Sequence, residues 1–201
     1  MIDQPEEILH YWFGEQEDGF PVEDKNSLWW SASADIDAEL RSRFGGILNE
    51  ARSGHLDGWK NSPRPCLALV VLLDQISRNV FRGKAAAFEC DPAARAATLH
   101  GLDEGFDEGF TWSERSFFYT PLEHSEDLAD QTRCVQLFED MHASAPPAAR
   151  EVIQRNVDFA IEHREIIEQF GRFPHRNEVL GRTPTPQEVE YLDSGAKRFG
   201  Q

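Results

Sequence analysis

The chain has 201 residues, 40% of them hydrophobic, and its 36 acidic and 20 basic residues give a formal net charge of -16. This length suits a domain with a sizeable core, and the hydrophobic content excludes a wholly disordered chain. The negative charge repels phosphate backbones and anionic headgroups, so we expect no nucleic-acid or membrane partner. Only four of the basic residues are lysines, so sixteen are arginines, which suit bidentate recognition of carboxylates and phosphates.

The predicted compartment is the cytoplasm. The N-terminal residues contain neither the basic nor the apolar region of a signal peptide. The longest apolar run, residues 66–73, is too short to span a bilayer. The cysteines, Cys66, Cys90 and Cys134, form no C-x-x-C pair, which favours a reducing environment. The sequence does not predict an oligomeric state.

Helical periodicity runs through the whole chain. Apolar residues recur at the spacing of one helix face, and glycines and prolines mark the boundaries. In chain order the predicted helices cover 6–13, 35–54, 63 to about 80, 91 to about 101 or 105, a segment capped by Ser125, 147 to about 171, and a short segment from Thr185. Residues 14–27 and 106–124 are predicted as loops or short turns. No segment shows convincing strand alternation, so we predict an all-α fold with a single domain over 1–201.

Several predicted helices begin at a capping signal. Asp91 is predicted as an N-cap before a proline, and residues 185–188 form a capping box with a proline in the first turn. Ser125 is predicted to cap the next helix, with Glu126 and Asp127 in its first turn.

The end of the central helix carries the sharpest local pattern. In L-L-D-Q-I-S-R-N-V-F-R-G, Asp74, Arg78 and Arg82 project from one arc of a helix, together with Gln75 and Asn79. As an ordinary solvated face, this arc would hold an i,i+4 ion pair between Asp74 and Arg78. As the wall of a cleft, it would present two guanidinium forks to a carboxylate or a phosphate.

A second polar block is S-F-F-Y-T-P-L-E-H-S-E-D, residues 116–127. His124 stands just before the predicted helix start, where an imidazole can meet an anion or carry a proton. Glu126 and Asp127 are explained by the helix dipole alone.

The third block, F-G-R-F-P-H-R-N, follows the longest predicted helix and carries Arg172, His175, Arg176 and Asn177, while His163 lies on that helix. This density of polar side chains between glycine and proline exceeds what a connector needs, which indicates function. Alternatively, Arg172 and Arg176 satisfy the carbonyl groups at the end of the helix.

No motif of a metalloprotease, α/β-hydrolase or nucleotide-binding protein occurs. A metal held by His124, His163 and His175, with Asp127, is a minor alternative, because their separations match no local ligand spacing. We predict no metal and no cofactor. Cys66 lies within an apolar run and is interpreted as structural.

Together the three blocks resemble the signature blocks of the bacterial domain-of-unknown-function family 924. The third block continues as E-V-L-G-R-T-P-T-P, and the opening Y-W-F-G and the W-W pair also fit, so the resemblance covers almost the whole chain. The departures are Ile76 and Ser77, where an aromatic and a proline are expected, and Glu123, where a methionine-like residue is expected. The resemblance implies stacked antiparallel helices in an α-α superhelix similar to tetratricopeptide-repeat proteins, and no established reaction.

The leading hypothesis is a single site, formed by the three blocks, that binds a small anionic ligand or an acidic peptide group. Its predicted residues are Asp74, Arg78, Arg82, His124, Arg172, His175, Arg176 and Asn177. In the alternative, the protein is a hydrolase or transferase acting on an anionic metabolite, with His124, His163 or Asp74 as catalytic candidates. A third possibility is a protein-interaction scaffold.

Overall fold

The structure is a computed structural model that describes residues 3–195. It is almost entirely helical, which confirms the predicted all-α class. Within the described residues the chain divides into two compact units. The N-terminal unit comprises 3–82 and 86–121, and the C-terminal unit comprises 83–85 and 122–195. A single domain over the whole chain stays a prediction.

The N-terminal unit is built from helices of very different lengths. They are α1 (Gln4–Phe13), α2 (Asn26–Trp30), α3 (Ala34–Arg52), α4 (Pro63–Val70), α5 (Ser77–Val80), α6 (Asp91–Asp103) and α7 (Trp112–Glu123). The last two residues of α7 belong to the C-terminal unit. Between α1 and α2 a short antiparallel hairpin, β1 (Gln16–Glu17) and β2 (Phe20–Pro21), occupies part of the segment predicted as a loop. Short 3-10 turns cover Asp57–Asn61, Ala85–Ala87 and Phe106–Gly109.

The first helix shows how local sequence signals set the fold of this unit. The Asp3 carboxylate accepts a hydrogen bond from the backbone N–H of Glu6 at 3.2 Å, so it caps α1. Gly14 follows at φ 66°, a conformation that favours glycine. Between these ends, four large apolar side chains are buried in the core: Ile8, Leu9, Trp12 and Phe13.

The predicted central helix is confirmed and contains a wider turn. Helix α4 continues through a π-helical turn at Val71–Ile76 into α5, and every residue from 66 to 80 is buried. A π-helical turn inserts an extra residue into the helical repeat, and such turns are frequent at functional sites. The apolar spacing did not reveal this turn.

The prediction of loops and short turns over 106–124 is wrong, because α7 covers most of this segment. Consecutive aromatic residues obscured its helical period, and the helix contains Pro121 in its last turn. A proline there removes the hydrogen bond to the carbonyl four residues earlier, that of Phe117, and leaves the hydrogen bonds of the preceding turns in place.

Two predicted N-caps are also wrong. Asp91 is the first residue of α6, after Cys90, and its carboxylate accepts hydrogen bonds from the Arg78 guanidinium instead of capping the helix. A long-range ion pair therefore replaces the local bond that the sequence predicted.

The next helix, α8 (Leu128–Ser144), is capped by Asp127, whose carboxylate accepts a hydrogen bond from the Ala129 N–H at 2.8 Å. Ser125 lies outside the helix and donates to the Asp130 carboxylate at 2.6 Å. Glu126 therefore lies outside the first turn, which leaves its carboxylate for other partners.

The C-terminal unit is built around α8 and α9 (Pro147–Phe170), which pack along each other as an antiparallel hairpin. Helix α9 ends at Gly171, at φ 69°. A 3-10 turn at Pro174–Arg176 and the short helix α10 (Pro186–Asp193) follow, and the capping box at Thr185 is confirmed. A small core joins these elements: Ile166, Ile167 and Phe173, with Phe170 and Tyr191 packed against it.

Within residues 3–195, none of the helices is both long and apolar enough to cross a membrane.

We predict that Gly101→Ala destabilises the protein although alanine is the better helix former. Gly101 lies inside α6, and a Cβ atom there would lie 2.6 Å from Cζ of Phe118 and 3.2 Å from Cδ2 of Phe106. Overpacking of this kind costs about 1–3 kcal/mol. Urea unfolding should therefore show a lower midpoint with an unchanged slope.

The matched control is Gly46→Ala, inside α3, where no atom lies within 4 Å of the added Cβ. Here the propensity gain should stabilise the protein by about 0.5–1 kcal/mol. The same sign for both substitutions would contradict the assigned packing of α6 against α7.

Candidate functional site

The first polar block folds into the π-helical turn and α5, where its carboxylate is buried. The Asp74 side chain is fully buried and accepts hydrogen bonds from Gln75 Nε2 at 2.7 Å and from the Thr120 hydroxyl at 2.9 Å. The interpretation of this arc as an ordinary solvated face is therefore wrong for Asp74, Arg78, Gln75 and Asn79, which are all buried.

Arg78 forms a buried network with two carboxylates of the chain. Its Nη1 and Nη2 donate to both oxygens of Asp91 at 2.8 and 3.2 Å, and Nη2 lies 3.5 Å from Asp74. The predicted i,i+4 pair is thus confirmed, within a larger network. Burial acts to lower the pKa of Arg78, but the Asp74 and Asp91 carboxylates outweigh it and raise this pKa.

Arg82 makes a second bidentate pair. Its Nε and Nη2 donate to the Asp37 carboxylate at 2.8 and 3.1 Å, which ties the end of the central helix to α3. Nothing in the pattern around Asp37 marked it as a partner of this block, because the two residues are 45 positions apart. Both guanidinium forks of the first block therefore hold carboxylates of the N-terminal unit.

The C-terminal unit brings together His124, the third block and the Glu126 carboxylate. The Glu126 carboxylate accepts the backbone N–H of Phe173 at 2.8 Å and both Nη groups of Arg182 at 2.6 and 3.1 Å. Arg182 Nη2 also donates to the Phe173 carbonyl at 3.0 Å. Hydrogen bonds on both sides therefore fix the backbone of Phe173. The sequence prediction missed Glu126 and Arg182 as positioning residues, although both lie in the quoted blocks.

Basic side chains surround the Phe173 ring, and we call this group the Phe173 cluster: Phe173 with His124, His163, His175 and Arg176. The ring centre of Phe173 lies 5.6 Å from that of His163 and 5.5 Å from that of His175. Arg176 places its guanidinium carbon 4.5 Å from the same ring centre. His124 joins through His163, at 6.3 Å between ring centres.

His163 is the most buried imidazole of the cluster and is neutral. Its Nδ1 lies 2.8 Å from the carbonyl oxygen of Phe159. A carbonyl only accepts, so Nδ1 carries the proton and donates it. The Glu123 carboxylate lies 3.9 Å from the same nitrogen. Burial lowers the pKa of His163 to about 3, and the positive potential of His124, Arg176 and His175 acts in the same direction.

The remaining predicted residues lie beside the cluster in the same unit. Arg176 Nη1 donates to the backbone carbonyl of His124 at 3.1 Å. Arg172 pairs through Nε and Nη2 with the Glu188 carboxylate at 2.6 and 2.8 Å, and also donates to the Thr183 carbonyl. The Arg172 guanidinium holds the pKa of Glu188 at about 2, and the hydrogen bond from the Thr185 backbone N–H favours the same charged form. Through these hydrogen bonds, neither Arg172 nor Arg176 satisfies a carbonyl group at the C-terminal end of α9.

The structure thus assigns the predicted residues to two groups. Asp74, Arg78 and Arg82 lie in the N-terminal unit, whereas His124, Arg172, His175, Arg176 and Asn177 lie in the C-terminal unit. Across residues 3–195, no group of three histidine, cysteine, aspartate or glutamate side chains is placed to hold a metal ion. All three cysteines are buried and none forms a disulfide, and burial raises the pKa of the Cys66 thiol to about 11. This agrees with its interpretation as a structural residue.

These features define an all-α protein with a buried carboxylate–arginine network and an imidazole-rich aromatic cluster. The chain belongs to a family of bacterial proteins of unknown function, DUF924, whose family model matches residues 8–196. A solved structure of a protein of unknown function from Agrobacterium tumefaciens is similar to it, with 34% sequence identity and a TM-score of 0.80. The match covers 95% of this chain and 97% of that one. The curated proteins contain no match.

We predict that removing the Arg78 guanidinium destabilises the protein strongly. Arg78→Met leaves the buried Asp74 carboxylate and the partly buried Asp91 carboxylate without this cation, and breaking a buried pair in this way costs about 3–5 kcal/mol. Urea unfolding measures the change. Arg155→Met is the matched control, because the exposed pair of Arg155 with Glu151 is worth at most about 1 kcal/mol. Equal effects of the two substitutions would show that the network around Arg78 is not structural.

We also predict that protonation of His163 destabilises the folded protein as the pH falls. The folded-state pKa of His163 is about 3 against 6.5 for an ordinary histidine, so the unfolded chain binds more protons between these values. Stability contributed by neutral His163 is therefore fully present above pH 6.5 and is lost towards pH 3, with a slope of at most about 1.4 kcal/mol per pH unit.

The test compares the pH dependence of unfolding for the wild type and for His163→Asn, which keeps a side-chain N–H donor but does not titrate. The difference between the two curves isolates His163 from the many carboxylates that titrate in the same range. Parallel curves between pH 6.5 and 4 would contradict the neutral, buried state of this histidine.

Proposed function

We propose that the Phe173 cluster binds a small anionic group, a phosphate or a carboxylate carried by a metabolite or an acidic peptide. The observation that carries this proposal is the packing of two imidazoles, His163 and His175, and the Arg176 guanidinium around the Phe173 ring, with His124 beside His163. In a chain of net charge -16, the Arg176 guanidinium supplies a local positive charge in this cluster, and the imidazoles of His124 and His175 can donate hydrogen bonds. The surrounding negative charge favours a compact anion over a polyanion such as nucleic acid.

The members of the cluster differ in their exposure, and we assign them different roles in binding on that basis. His124 and His175 are half-buried, so a ligand from solvent can reach them directly. Arg176 is buried, so its charge acts on that ligand in an environment of low dielectric, where charge interactions are stronger. His163 is buried and neutral with its proton directed to Phe159, so its part is to pack against Phe173. The stacking of Arg176 on Phe173 keeps its guanidinium in place before a ligand arrives.

Arg78, Arg82 and Arg172 stay predicted ligand-binding residues, and the proposal does not depend on them. Each holds a carboxylate of the chain in bidentate geometry. A ligand anion would have to replace that carboxylate. We therefore assign them first to positioning: Arg78 and Arg82 fix the central helix, and Arg172 fixes α10. In this proposal Asp74 orients Arg78 within the network.

The second candidate function is a hydrolase or transferase that acts on an anionic metabolite. It is favoured by the pair of Glu123 and His163, in which a carboxylate and a backbone carbonyl both face Nδ1 and orient the ring, as in acid–base pairs of enzymes. A histidine with a pKa of about 3 is nevertheless a weak base at neutral pH. His124 is therefore the better candidate for general acid or base, and binding without chemistry is our first choice.

The proposal also includes two predictions made from the sequence, a tetratricopeptide-like superhelix and a cytoplasmic location. The α8–α9 hairpin is the kind of unit from which tetratricopeptide-like superhelices are built, and this supports a fold of that type. Buried cysteines that form no disulfide support a reducing, cytoplasmic environment. An interaction scaffold is the third alternative. It would bind protein partners and would leave the basic cluster without a ligand.

We expect inorganic phosphate, sulfate or citrate to stabilise the protein in thermal unfolding. A bound anion at 100 times its dissociation constant should add about 2.7 kcal/mol to the free energy of unfolding. His175→Gln, at a half-buried position, should weaken the binding about tenfold, the loss of one charge-assisted hydrogen bond. Arg176→Lys keeps the charge but loses the planar fork, so it should weaken binding as well.

The control is Arg155→Met, which removes one positive charge from the exposed face of α9 and should leave binding unchanged. Absence of stabilisation by every anion would contradict the proposal, as would equal stabilisation of the wild type and His175→Gln. Turnover of a phosphate ester that is abolished by His124→Gln with binding intact would favour the enzyme instead.

A further inference from the structure

A cavity of about 500 Å³ opens in the N-terminal unit, and its lining shares no residue with the buried network around Asp74. Helices α1, α2 and α3 contribute to its wall. Tyr11, Leu28 and Ile36 form an apolar side, and His10, Lys25 and Arg43 are basic groups on the lining. Small-molecule sites in proteins have volumes of about 300–1,000 Å³ and combine apolar walls with a few polar groups. The cavity has both properties.

Arg43 is held at this cavity by aromatic rings. Its guanidinium carbon lies 4.7 Å from the ring centre of Tyr11 and 5.5 Å from that of Phe44, and these two rings meet edge to face. Stacking of this kind fixes the orientation of a guanidinium and leaves its outer edge for hydrogen bonds. The ion pair of Arg43 Nε with Glu7 is long, at 3.4 Å, and about half exposed on both sides. Such a pair contributes little, so a ligand carboxylate can replace Glu7.

Lys25 supplies the second positive charge. Its side chain is 17% exposed, whereas its partner Glu23, at 3.3 Å, is 78% exposed and so is weakly held. The Asp24 carboxylate is also on the lining. It accepts a hydrogen bond from the backbone N–H of Asn26 at 2.8 Å, so one of its oxygens is directed at the start of α2. Burial and the neighbouring Glu39 raise the pKa of Tyr11 to about 12, so its phenol adds no negative charge at neutral pH.

We propose that this cavity binds a small amphipathic carboxylate, with an aromatic or branched aliphatic body. The acid group would lie between Lys25 and Arg43, and the apolar body would pack against Tyr11, Leu28 and Ile36. Inorganic phosphate lacks the apolar body, so it is a poor ligand here although it suits the Phe173 cluster.

A second open cavity of the N-terminal unit illustrates what such a ligand needs. It is lined by Asn49, Arg52, Ser53, Glu89 and Cys90, a set without aliphatic or aromatic side chains. Its arginine is paired with Glu89 and lies over the Phe81 ring at 4.6 Å. An amphipathic ligand would find a cation but no surface for its apolar body in that cavity.

The test is titration of the full chain with 1-naphthoate, followed by calorimetry. We expect saturable binding at one site, weakened about tenfold by Lys25→Met and about tenfold by Arg43→Met, which is 1.4 kcal/mol for each lost charge contact. Two control variants remove the same charges elsewhere: exposed Lys84→Met, and Arg155→Met on α9. Both should bind 1-naphthoate like the wild type.

Two further ligands separate the contributions of charge and apolar surface. The uncharged 1-naphthamide should bind at least tenfold more weakly than 1-naphthoate, and acetate should not compete with it. Leu28→Trp, which fills the cavity from α2, should abolish binding while the thermal midpoint stays near that of the wild type.

The result that would overturn the proposal is an affinity for 1-naphthoate that Lys25→Met and Arg43→Met leave unchanged, or no binding up to the solubility limit. Equal binding of the amide would overturn it too. His175→Gln should not affect 1-naphthoate, so failure at this cavity and failure at the Phe173 cluster are distinguishable.

Discussion

Bidentate pairs between arginine and carboxylate connect distant segments of this acidic chain, and the geometry of both polar groups depends on them. A planar guanidinium matches both oxygens of a carboxylate, so each pair fixes an orientation as well as a distance. This explains why a chain with 36 acidic residues has sixteen arginines but only four lysines. Among the described residues these pairs include Arg64 with Glu6, Arg78 with Asp91, Arg82 with Asp37, Arg172 with Glu188 and Arg182 with Glu126.

In the C-terminal unit these pairs set the position of an aromatic ring, and the ring in turn positions the basic groups. Glu126 and Arg182 together satisfy the backbone N–H and carbonyl of Phe173. With its backbone fixed, the fully buried Phe173 ring offers faces and edges to two imidazoles and a guanidinium. The proposed site is therefore held in place by the hydrogen bonds that support Phe173, and a pre-organised arrangement of this kind favours precise recognition.

Periodicity predicts most of the fold because the core-facing residues of a helix recur every three to four positions. It failed over 106–124, where aromatic residues are buried on several sides of α7 and leave no single apolar face. Caps were predicted correctly at Thr185 and wrongly at Asp91, because a local hydrogen bond at Asp91 competes with a remote guanidinium that the local sequence does not reveal. The local sequence did not predict the burial of Asp74 and Arg78 either, because this burial also depends on partners far away in the sequence.

The arginines and the histidines of the predicted site carry different information. A ligand anion and a carboxylate of the chain offer a guanidinium the same chemistry, so an arginine-rich block predicts an anion without saying which one.

Histidine is different, because a buried neutral imidazole stabilises the fold less than a phenylalanine or leucine of similar shape would. His163 keeps its pKa near 3 mainly because burial prevents its hydration. Architecture alone gives no reason to bury it beside two further imidazoles and Arg176. A polar side chain buried where an apolar one would stabilise the fold more is expected at a functional site. The histidines therefore distinguish the Phe173 cluster from the structural pairs around it.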